Sequence, residues 1–363
     1  MVQMRPNDPL QWLVNAGCYV AGRRSAALPP GSEVDPRIGP ALVLSADVPI
    51  GEAPDSVAVA PSDAVVRLAF TSGMTGPAKG VELTSGALGA VALALRDTLP
   101  WPERPQVLCA ESVSGGFGNM VLPTFLLGGS FALPDEPGVD SFLDAVVAGR
   151  PTVLMMMPPI LRAVLNHPRA DSVDWSSVEL VVYSGASLES SEVDRAHAVF
   201  GEVLCQVFGQ VEVPKTIAYS TPADHRGERR SALGRPFPGT EIRLCGPSGT
   251  EVPAGQAGEL WVRGPTIARS YAFPAGSPVH DGWLRTGDVC RMDSAGYLYY
   301  VDRVQYAIPL GDSYLCPSDL EERVFSLTGQ VVSAATTEDS SVRFVPGAPP
   351  RDVMGRPDRR GLA

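Results

Sequence analysis

Residues 71–80 read TSGMTGPAKG and follow a short apolar run at Val65–Phe70. The alanine- and leucine-rich stretch at 85–99 has the composition of a helix, and Thr84 or Ser85 is suited to be its N-cap. The glycines of residues 71–80 allow backbone conformations closed to other residues, so this segment cannot be regular structure. It therefore joins a predicted strand to a predicted helix, which favours an α/β fold.

Alternating strand-like and helix-like patterns continue along the chain. A helix is predicted at 141–148, and strands are predicted at 152–157, Leu180–Tyr183, 203–208, 241–244 and Gly258–Arg263. Glycine and proline become frequent after about residue 231, where short strands follow one another. These patterns predict an α/β core of sheets flanked by helices at 1–230 and a small β-rich subdomain at 231–303. The proline-, glycine- and arginine-rich stretch at 345–363 predicts a disordered tail.

Composition excludes several classes of function. The chain has 363 residues and a net charge of -11, from 40 acidic and 29 basic residues. A nucleic-acid-binding protein needs a basic surface, and an acidic chain is repelled by membrane surfaces. No apolar segment has the length of a membrane-spanning helix, so we expect a cytoplasmic protein without nucleic-acid or membrane partners. The six cysteines lie far apart and form no CxxC pair, which argues against a zinc site or a disulfide framework.

Phosphate binding is one interpretation of residues 71–80. Backbone N–H groups of such a segment can surround an anion, Ser72 and Thr75 add hydroxyl donors, and Lys79 adds a positive charge. Lysine occurs elsewhere only at Lys215, so a lysine in this position needs a specific explanation. The sequence differs from the common nucleoside-triphosphatase loop, in which serine or threonine follows the lysine. Taken alone, the segment favours phosphate binding, and a plain glycine-rich turn stays open as the alternative.

The order of several motifs decides between these interpretations. Residues 71–80 resemble the signature loop of the adenylate-forming superfamily, which includes acyl- and aryl-CoA ligases, luciferases and peptide-synthetase adenylation domains. Later blocks are similar to that superfamily in the same order: FLLGGSFALPDEPGVDSFLDAV with PTVLMMMPPILRAVL, YSGAS at 183–187, FGQVE at 208–212, GRPFPGTEIRL, GELWVRGP, GWLRTGD and DSAGYLYYVDR at 293–303. The resemblance covers roughly residues 65–325.

The resemblance implies roles for individual residues. It implies that the β- and γ-phosphates of ATP bind to Thr71, Ser72, Gly73, Thr75, Gly76 and Lys79. It implies an adenine and acid pocket at Gly185 and Ala186, adenine stacking at Phe208 beside Gly209, a magnesium ligand at Glu212, a ribose acceptor at Asp288, and a ribose or phosphate contact at Arg303. In that scheme Lys79, Glu212 and Arg303 are the catalytic residues. Without the resemblance, Asp288 fits a turn residue and Glu212 fits a solvated charge.

The implied reaction joins ATP to a small carboxylic acid, aryl or acyl, as an acyl-AMP with release of pyrophosphate. The acyl group then passes to the thiol of coenzyme A or to the phosphopantetheine of an acyl carrier protein in a biosynthetic pathway. The sequence does not name the acid. The glycines of SVSGGFGNM at 112–120 suggest a pocket with room, and an ordinary loop explains them equally well.

Some positions depart from the family pattern. Met74 and Val211 replace hydroxyl residues, Ala78 replaces proline, and Asp302 replaces the glycine before Arg303. Residues 304–344 resemble the beginning of the family's mobile C-terminal domain, with Gln305, Tyr306 and Pro309 in place of lysine, aspartate and lysine. The chain has no lysine after Lys215, although the family places a catalytic lysine near its C-terminus.

The expectation from the resemblance is therefore a superfamily member shortened at both ends, with most of the mobile domain missing. Three alternatives stay open at this point. The chain is an active ligase, a non-catalytic homologue that binds nucleotide or acyl-adenylate, or a protein whose missing lysine domain comes from a partner.

Overall fold

The structure, a computed structural model, describes residues 2–3, 12, 16, 18, 24–28, 60–71, 78–273, 275–336, 342–352 and 356–359. Its α-helices are α1 (Ser85–Thr98), α2 (Val121–Leu126), α3 (Val139–Gly149), α4 (Pro158–Leu165), α5 (Ser190–Phe200) and α6 (Pro317–Thr328). Short 3-10 helices lie at Gly116–Met120, Pro222–His225, Gly227–Ser231 and Val304–Tyr306. Within these ranges, no helix combines the length and the apolar character needed to cross a membrane.

The strands follow one another along the whole chain. They are β1 (Val2–Gln3), β2 (Ser25–Leu28), β3 (Val65–Phe70), β4 (Gly80–Thr84), β5 (Gln106–Cys109), β6 (Ser130–Ala132), β7 (Val153–Met156), β8 (Leu180–Tyr183), β9 (Leu204–Phe208), β10 (Ala218–Ser220), β11 (Arg235–Pro236), β12 (Glu241–Cys245), β13 (Gly258–Arg263), β14 (Ser270–Phe273), β15 (Ala275–Gly276), β16 (Val279–His280), β17 (Trp283–Met292), β18 (Leu298–Arg303), β19 (Ile308–Leu310), β20 (Ser313–Leu315), β21 (Val332–Thr336) and β22 (Val342–Pro346).

The central sheet has seven strands in the order β11-β10-β9-β8-β7-β5-β6. Neighbouring strands from β6 to β9 are parallel, whereas β10 and β11 are antiparallel. Helices cover both of its faces, because side chains of β7 alternate between two apolar clusters. Leu154 and Met156 pack with α3, α4 and α5, while Val153 and Met155 pack with α1. The predicted α/β class and the strands at β7, β8 and β9 are confirmed.

A second sheet brings the glycine-rich segment next to a distant strand. It has six strands in the order β1-β2-β3-β4-β14-β15, and β3 and β4 flank residues 71–80 on either side. Strand β14 pairs antiparallel with β4, with Tyr271 opposite Val81. Helix α1 begins directly after β4, and the Thr84 side chain accepts a hydrogen bond from the backbone N–H of Ala87, which confirms Thr84 as its N-cap.

The third sheet has five strands, β12, β13, β17, β16 and β18, with β18 paired to β17. Its register places Asp288 on β17 opposite Arg303 on β18. A bridge between Gly234 and Leu298 ties this sheet to the segment entering β11 of the central sheet. Strand pairing alone therefore sets two candidate site residues side by side.

At this connection the backbone of Gly234 packs directly against the backbone of Tyr219. Its φ is +101°, and a Cβ atom there would lie 1.8 Å from the carbonyl oxygen of Tyr219. We expect Gly234→Ala to lower the free energy of unfolding by roughly 3 kcal/mol, because both backbone strain and a backbone clash must be relieved. Gly227→Ala, at φ +58° with open space around it, should cost only about 1–2 kcal/mol. Urea unfolding of both variants checks this, and equal losses would contradict it.

The C-terminal stretch differs from the sequence-based prediction. Its described residues include part of β22 and the side chain of Arg359, which is 2% exposed. The Arg359 guanidinium donates to Asp302 at 3.1 Å, to the Ala334 carbonyl at 2.7 Å and to Glu321. Sequence composition predicts disorder at 345–363, whereas the described residues 345–352 and 356–359 include part of a strand and the buried Arg359. A buried ion pair with residues far away in sequence orders them, and composition cannot reveal such a pair.

Candidate active site

The predicted site residues of the described chain line one cavity of about 910 Å³. It opens where the carboxyl ends of β8 and β9 meet the second and third sheets, which is the usual place for ligands in open α/β sheets. The predicted residues around it are Thr71, Lys79, Gly185, Ala186, Phe208, Gly209, Glu212, Asp288 and Arg303. The predicted phosphate-binding residues Ser72, Gly73, Thr75 and Gly76 lie outside the described residues.

The two ends of the glycine-rich segment are fixed together. The Thr71 N–H donates to the Lys79 carbonyl at 3.0 Å, and the Lys79 N–H donates to the Thr71 hydroxyl oxygen at 2.9 Å. The Lys79 side chain is exposed, and its ammonium nitrogen lies 5.0 Å from the ring centroid of Tyr271. This mobile cation at the cavity edge can reach an anionic ligand.

Tyr271 connects that lysine to the predicted metal ligand. Its hydroxyl donates to Glu212 Oε1 at 2.8 Å, and the Glu212 side chain is buried at 8% exposure. Burial, together with the neighbouring Glu212 charge, raises the pKa of Tyr271, so the phenol stays protonated and keeps donating. Tyr271 therefore holds the carboxylate in place while its ring lies beside Lys79.

Asp288 is a buried carboxylate with two donors. Arg303 Nε lies 3.0 Å from Oδ1, and Gln210 Nε2 donates to Oδ2 at 2.6 Å. Burial raises the pKa of Asp288, and the Arg303 charge acts in the opposite direction. Gln210 also donates to the Thr286 carbonyl at 2.9 Å, so the segment after β9 is bound directly to β17. The carboxylate is held at a defined position at the cavity wall.

Known proteins with the same organisation identify the family. A protein-family model described as "AMP-binding enzyme" matches residues 22–272 of this chain. This chain is a member of the AMP-binding enzyme family. The resemblance inferred from the motif order is thereby confirmed.

Curated relatives of this AMP-binding enzyme include CoA ligases. A medium/long-chain-fatty-acid–CoA ligase, FadD8, from Mycobacterium tuberculosis (strain ATCC 25618 / H37Rv) is 32% identical over 267 residues, 73% of this chain and 47% of that protein. A feruloyl-CoA synthase from Amycolatopsis sp is 32% identical over 276 residues, 74% of this chain and 55% of that protein. The chain thus spans about half the length of the curated relatives it matches.

Solved structures share the fold. The amide bond synthetase McbA from Marinactinospora thermotolerans is 26% identical with a TM-score of 0.77, over 96% of this chain and 80% of that chain. The O-succinylbenzoate coenzyme A synthetase MenE from Bacillus subtilis, in complex with ATP and magnesium ion, is 19% identical with a TM-score of 0.77, over 94% and 78%. At that identity, the second likeness concerns the fold alone.

Three cavity residues of this AMP-binding enzyme were missed as site residues by the sequence analysis. Tyr271 reaches the cavity only because β14 pairs with β4, and Gln210 gains its role only from Asp288, which lies 78 residues away. Lys215 was noticed as a rare lysine, but its burial in the cavity wall was not predicted. For Gln210 and Lys215 the available signal was the composition of residues 209–215, where three polar side chains, Gln210, Glu212 and Lys215, follow a buried strand.

A buried histidine contacts the end of β8, just before the cavity residues Gly185 and Ala186. His225 Nδ1 faces the Thr221 carbonyl at 2.9 Å, and Nε2 faces the Tyr183 hydroxyl at 2.8 Å, directly before Gly185 and Ala186. Burial lowers the pKa of His225 to about 4, because the charged ring would lose its hydration. A neutral ring that donates through Nδ1 accepts at Nε2 from the Tyr183 hydroxyl, whose single hydrogen is then shared with the more distant Gln206 Oε1 at 3.1 Å.

This histidine makes stability depend on pH. The unfolded chain binds a proton at His225 near pH 6.5, whereas the folded chain does so only near pH 4. The contribution is complete above pH 6.5 and is lost as the pH falls through 4, by roughly 3 kcal/mol. Urea unfolding at neutral pH and at pH 4 should show a smaller acid loss for His225→Gln than for the exposed control His280→Gln. Equal acid losses in the two variants would refute this prediction.

Proposed function

We propose that this chain uses ATP to activate a carboxylic acid as its acyl-AMP, with release of pyrophosphate. One observation carries the proposal: Lys79, Glu212 and the Asp288–Arg303 pair line a single cavity in an AMP-binding enzyme. The relatives that act on fatty, feruloyl and indoleacetic acids, and the p-hydroxybenzoic acid–AMP ligase FadD22, support acyl or aryl acids as the substrate class.

The proposed nucleotide position follows from the shape and charge of the cavity. Lys79 and residues 71–80 bind the β- and γ-phosphates, because an exposed ammonium on a short connection can follow the pyrophosphate as it leaves. Asp288 accepts the ribose hydroxyls, and Arg303 neutralises the charge beside it. Gly185, Ala186 and Phe208 contact the adenine. Because Gly185 has no side chain, the backbone after β8 can approach the adenine base closely.

Magnesium fits the residues present. Glu212 Oε1 accepts from Tyr271, and among the described residues Oε2 has no hydrogen-bond partner, so one carboxylate oxygen is open to a ligand. Magnesium is a hard ion that commonly takes one or two carboxylates, with phosphate oxygens and water completing its shell. Within the described ranges no cluster of three metal-binding side chains occurs, which suits an ion held mainly by the nucleotide. When bound, the ion would neutralise phosphate charge.

The protein's own part in the reaction is positioning and charge neutralisation. The acid carboxylate oxygen attacks the α-phosphorus, the bond to the bridging oxygen breaks, and pyrophosphate leaves. Charge accumulates on the phosphate oxygens, where cations and oriented N–H groups lower the barrier. We further propose that the acyl group passes to a thiol, of coenzyme A or of a carrier protein's phosphopantetheine, in the cytoplasm.

The test is ATP–pyrophosphate exchange with the purified chain and a panel of aryl, fatty and amino acids. Exchange that depends on one acid class supports the proposal. Acceptors are compared next: coenzyme A, a phosphopantetheinylated carrier protein and an amine, the last because McbA is an amide bond synthetase. Nucleotide binding by calorimetry without exchange for any acid would overturn acid activation and leave a nucleotide-binding protein.

A further inference from the structure

Lys215 occupies an unusual position in the cavity wall. It lies three residues after Glu212 in a tight turn, with a left-handed φ of +64°. Its side chain is buried at 9% exposure and extends to Gly116, where a Cβ atom would lie 3.0 Å from Lys215 Cε and 3.2 Å from Nζ. The missing side chain at position 116 is therefore what makes room for the ammonium group.

The ammonium group has no anionic partner of its own. Its nitrogen lies 3.9 Å from the ring centroid of Phe117, and in the described chain it has neither a hydrogen-bond nor an ion-pair partner. Burial lowers the pKa of Lys215 to about 8, and Cys109 and Glu111 are the groups that favour its charged form. Glu111 Oε1 is already bound to the Met157 N–H at 3.0 Å. A buried, unpaired ammonium is unfavourable unless an anion accompanies it.

A second cation lines the same cavity close to the same loop. Arg67 donates to Asn119 Oδ1 at 2.9 Å and to the Ser114 carbonyl at 3.1 Å. Both acceptors are neutral, and among the described carboxylates none pairs with Arg67. Arg67 thus contacts both ends of the short loop 114–119, and Lys215 contacts its middle at Gly116 and Phe117. In the described chain neither cation has a carboxylate within hydrogen-bond distance.

Two further cavity cations, Lys79 and Arg303, lie at the proposed nucleotide site. Lys79 lies beside Tyr271, and Arg303 is paired with Asp288 at 3.0 Å. Both residues lie where the nucleotide is proposed to bind. Lys215 instead contacts the loop after β5. The proposed nucleotide therefore accounts for Lys79 and Arg303 but not for Lys215, which contacts a different segment.

We propose that Lys215, assisted by Arg67, binds a second carboxylate of the acid substrate, so that the preferred substrates are dicarboxylic acids. The inference rests on the proposed function, because it adds a substrate class to the same reaction. One carboxylate is adenylated, and the other forms a charge-assisted contact with the buried ammonium. Such a contact in a desolvated pocket discriminates strongly against an uncharged group of the same size.

The experiment compares matched acids that differ only in the second acidic group. Aryl and alkyl dicarboxylic acids are tested beside their monoamides in ATP–pyrophosphate exchange. For the wild-type chain we expect kcat/KM to favour the diacid by roughly tenfold to hundredfold. Lys215→Met keeps an unbranched side chain, one atom shorter, and removes the charge, and it should bring that ratio close to one. Arg67→Met should reduce the ratio less.

Controls separate binding from folding. Arg323→Met, at an exposed position on α6, should keep the wild-type ratio. Lys215→Met should unfold at the same temperature as wild type or higher, because an unpaired buried charge has been removed. A lower unfolding temperature with an unchanged diacid ratio would show that the lysine only packs against Phe117, and would overturn the proposal. An increased KM for ATP in Lys215→Met with an unchanged ratio would overturn it as well.

Failure of the subsite and failure of adenylation give different results. Exchange with monoacids and diacids at equal kcat/KM refutes the subsite and leaves acid activation intact. If no acid supports exchange, the diacids are titrated calorimetrically into the chain. Binding that is lost in Lys215→Met then supports the subsite although acid activation has failed, and absence of binding overturns the subsite too.

Discussion

Replacement of Lys79 by alanine should lower ATP–pyrophosphate exchange by at least about a hundredfold. Lys79 is the exposed cation at the end of residues 71–80, and its ammonium group lies beside Tyr271 at the cavity edge. The transition state places extra charge on the phosphate oxygens, and removal of one preorganised donor to such charge typically costs a hundredfold to a thousandfold in rate. The measurement is exchange with the best acid of the panel under saturating ATP.

The matched variant is Lys79→Arg, which preserves the charge and changes the geometry of the donors. It should retain more activity than Lys79→Ala, because part of the effect is a point charge that arginine also supplies. The surface variant Arg323→Ala serves as the control for handling and folding. Exchange by Lys79→Ala within a fewfold of wild type would remove this lysine from the proposed mechanism.

Replacement of Arg359 by methionine should lower the free energy of unfolding by about 3–5 kcal/mol. The change leaves Asp302 buried without its cation and removes a donor to the Ala334 carbonyl. Burial already raises the pKa of Asp302, and the Arg359 charge counteracts that rise. Without Arg359 the carboxyl must therefore bind a proton or open to water. Urea unfolding measures the loss directly.

A double-mutant cycle separates the ion pair from other effects. Asp302→Gly restores the residue that the family pattern has at this position, and the double variant Asp302→Gly with Arg359→Met should be more stable than Arg359→Met alone. Recovery is partial because Glu321 also contacts the guanidinium. Strict additivity of the two single changes would mean that the pair is not coupled.

The same pair explains one departure from the family pattern. Arg351, Arg356 and Pro357 line the candidate active-site cavity, and Arg359 anchors the segment that carries them. Asp302 therefore supplies the anionic partner for the arginine that holds residues 356–359 near the cavity. Sequence analysis recorded the change at position 302 but could not assign its partner, which lies 57 residues further along the chain.

Local patterns were sufficient for much of the fold. Strand β13 occupies the predicted residues Gly258–Arg263, and β7 to β9 end within one residue of prediction, because strand periodicity and buried apolar runs are properties of short windows. Nine residues that the motif order singled out also line the cavity. What local patterns could not supply were pairs made by tertiary packing, such as Gln210 with Asp288 or Tyr271 with Glu212. Each depends on a register between strands that only the assembled sheets define.

The scarcity of lysine gives this chain an unusual chemical selectivity. Its two lysines, Lys79 and Lys215, line one cavity, and only the first is exposed. An amine-reactive nucleotide analogue, such as ATP oxidised to its ribose dialdehyde, has only these two lysine side chains to modify. Mass spectrometry of the two lysine-containing peptides then reports occupancy of the cavity, and protection by unmodified ATP can be quantified without mutating the protein.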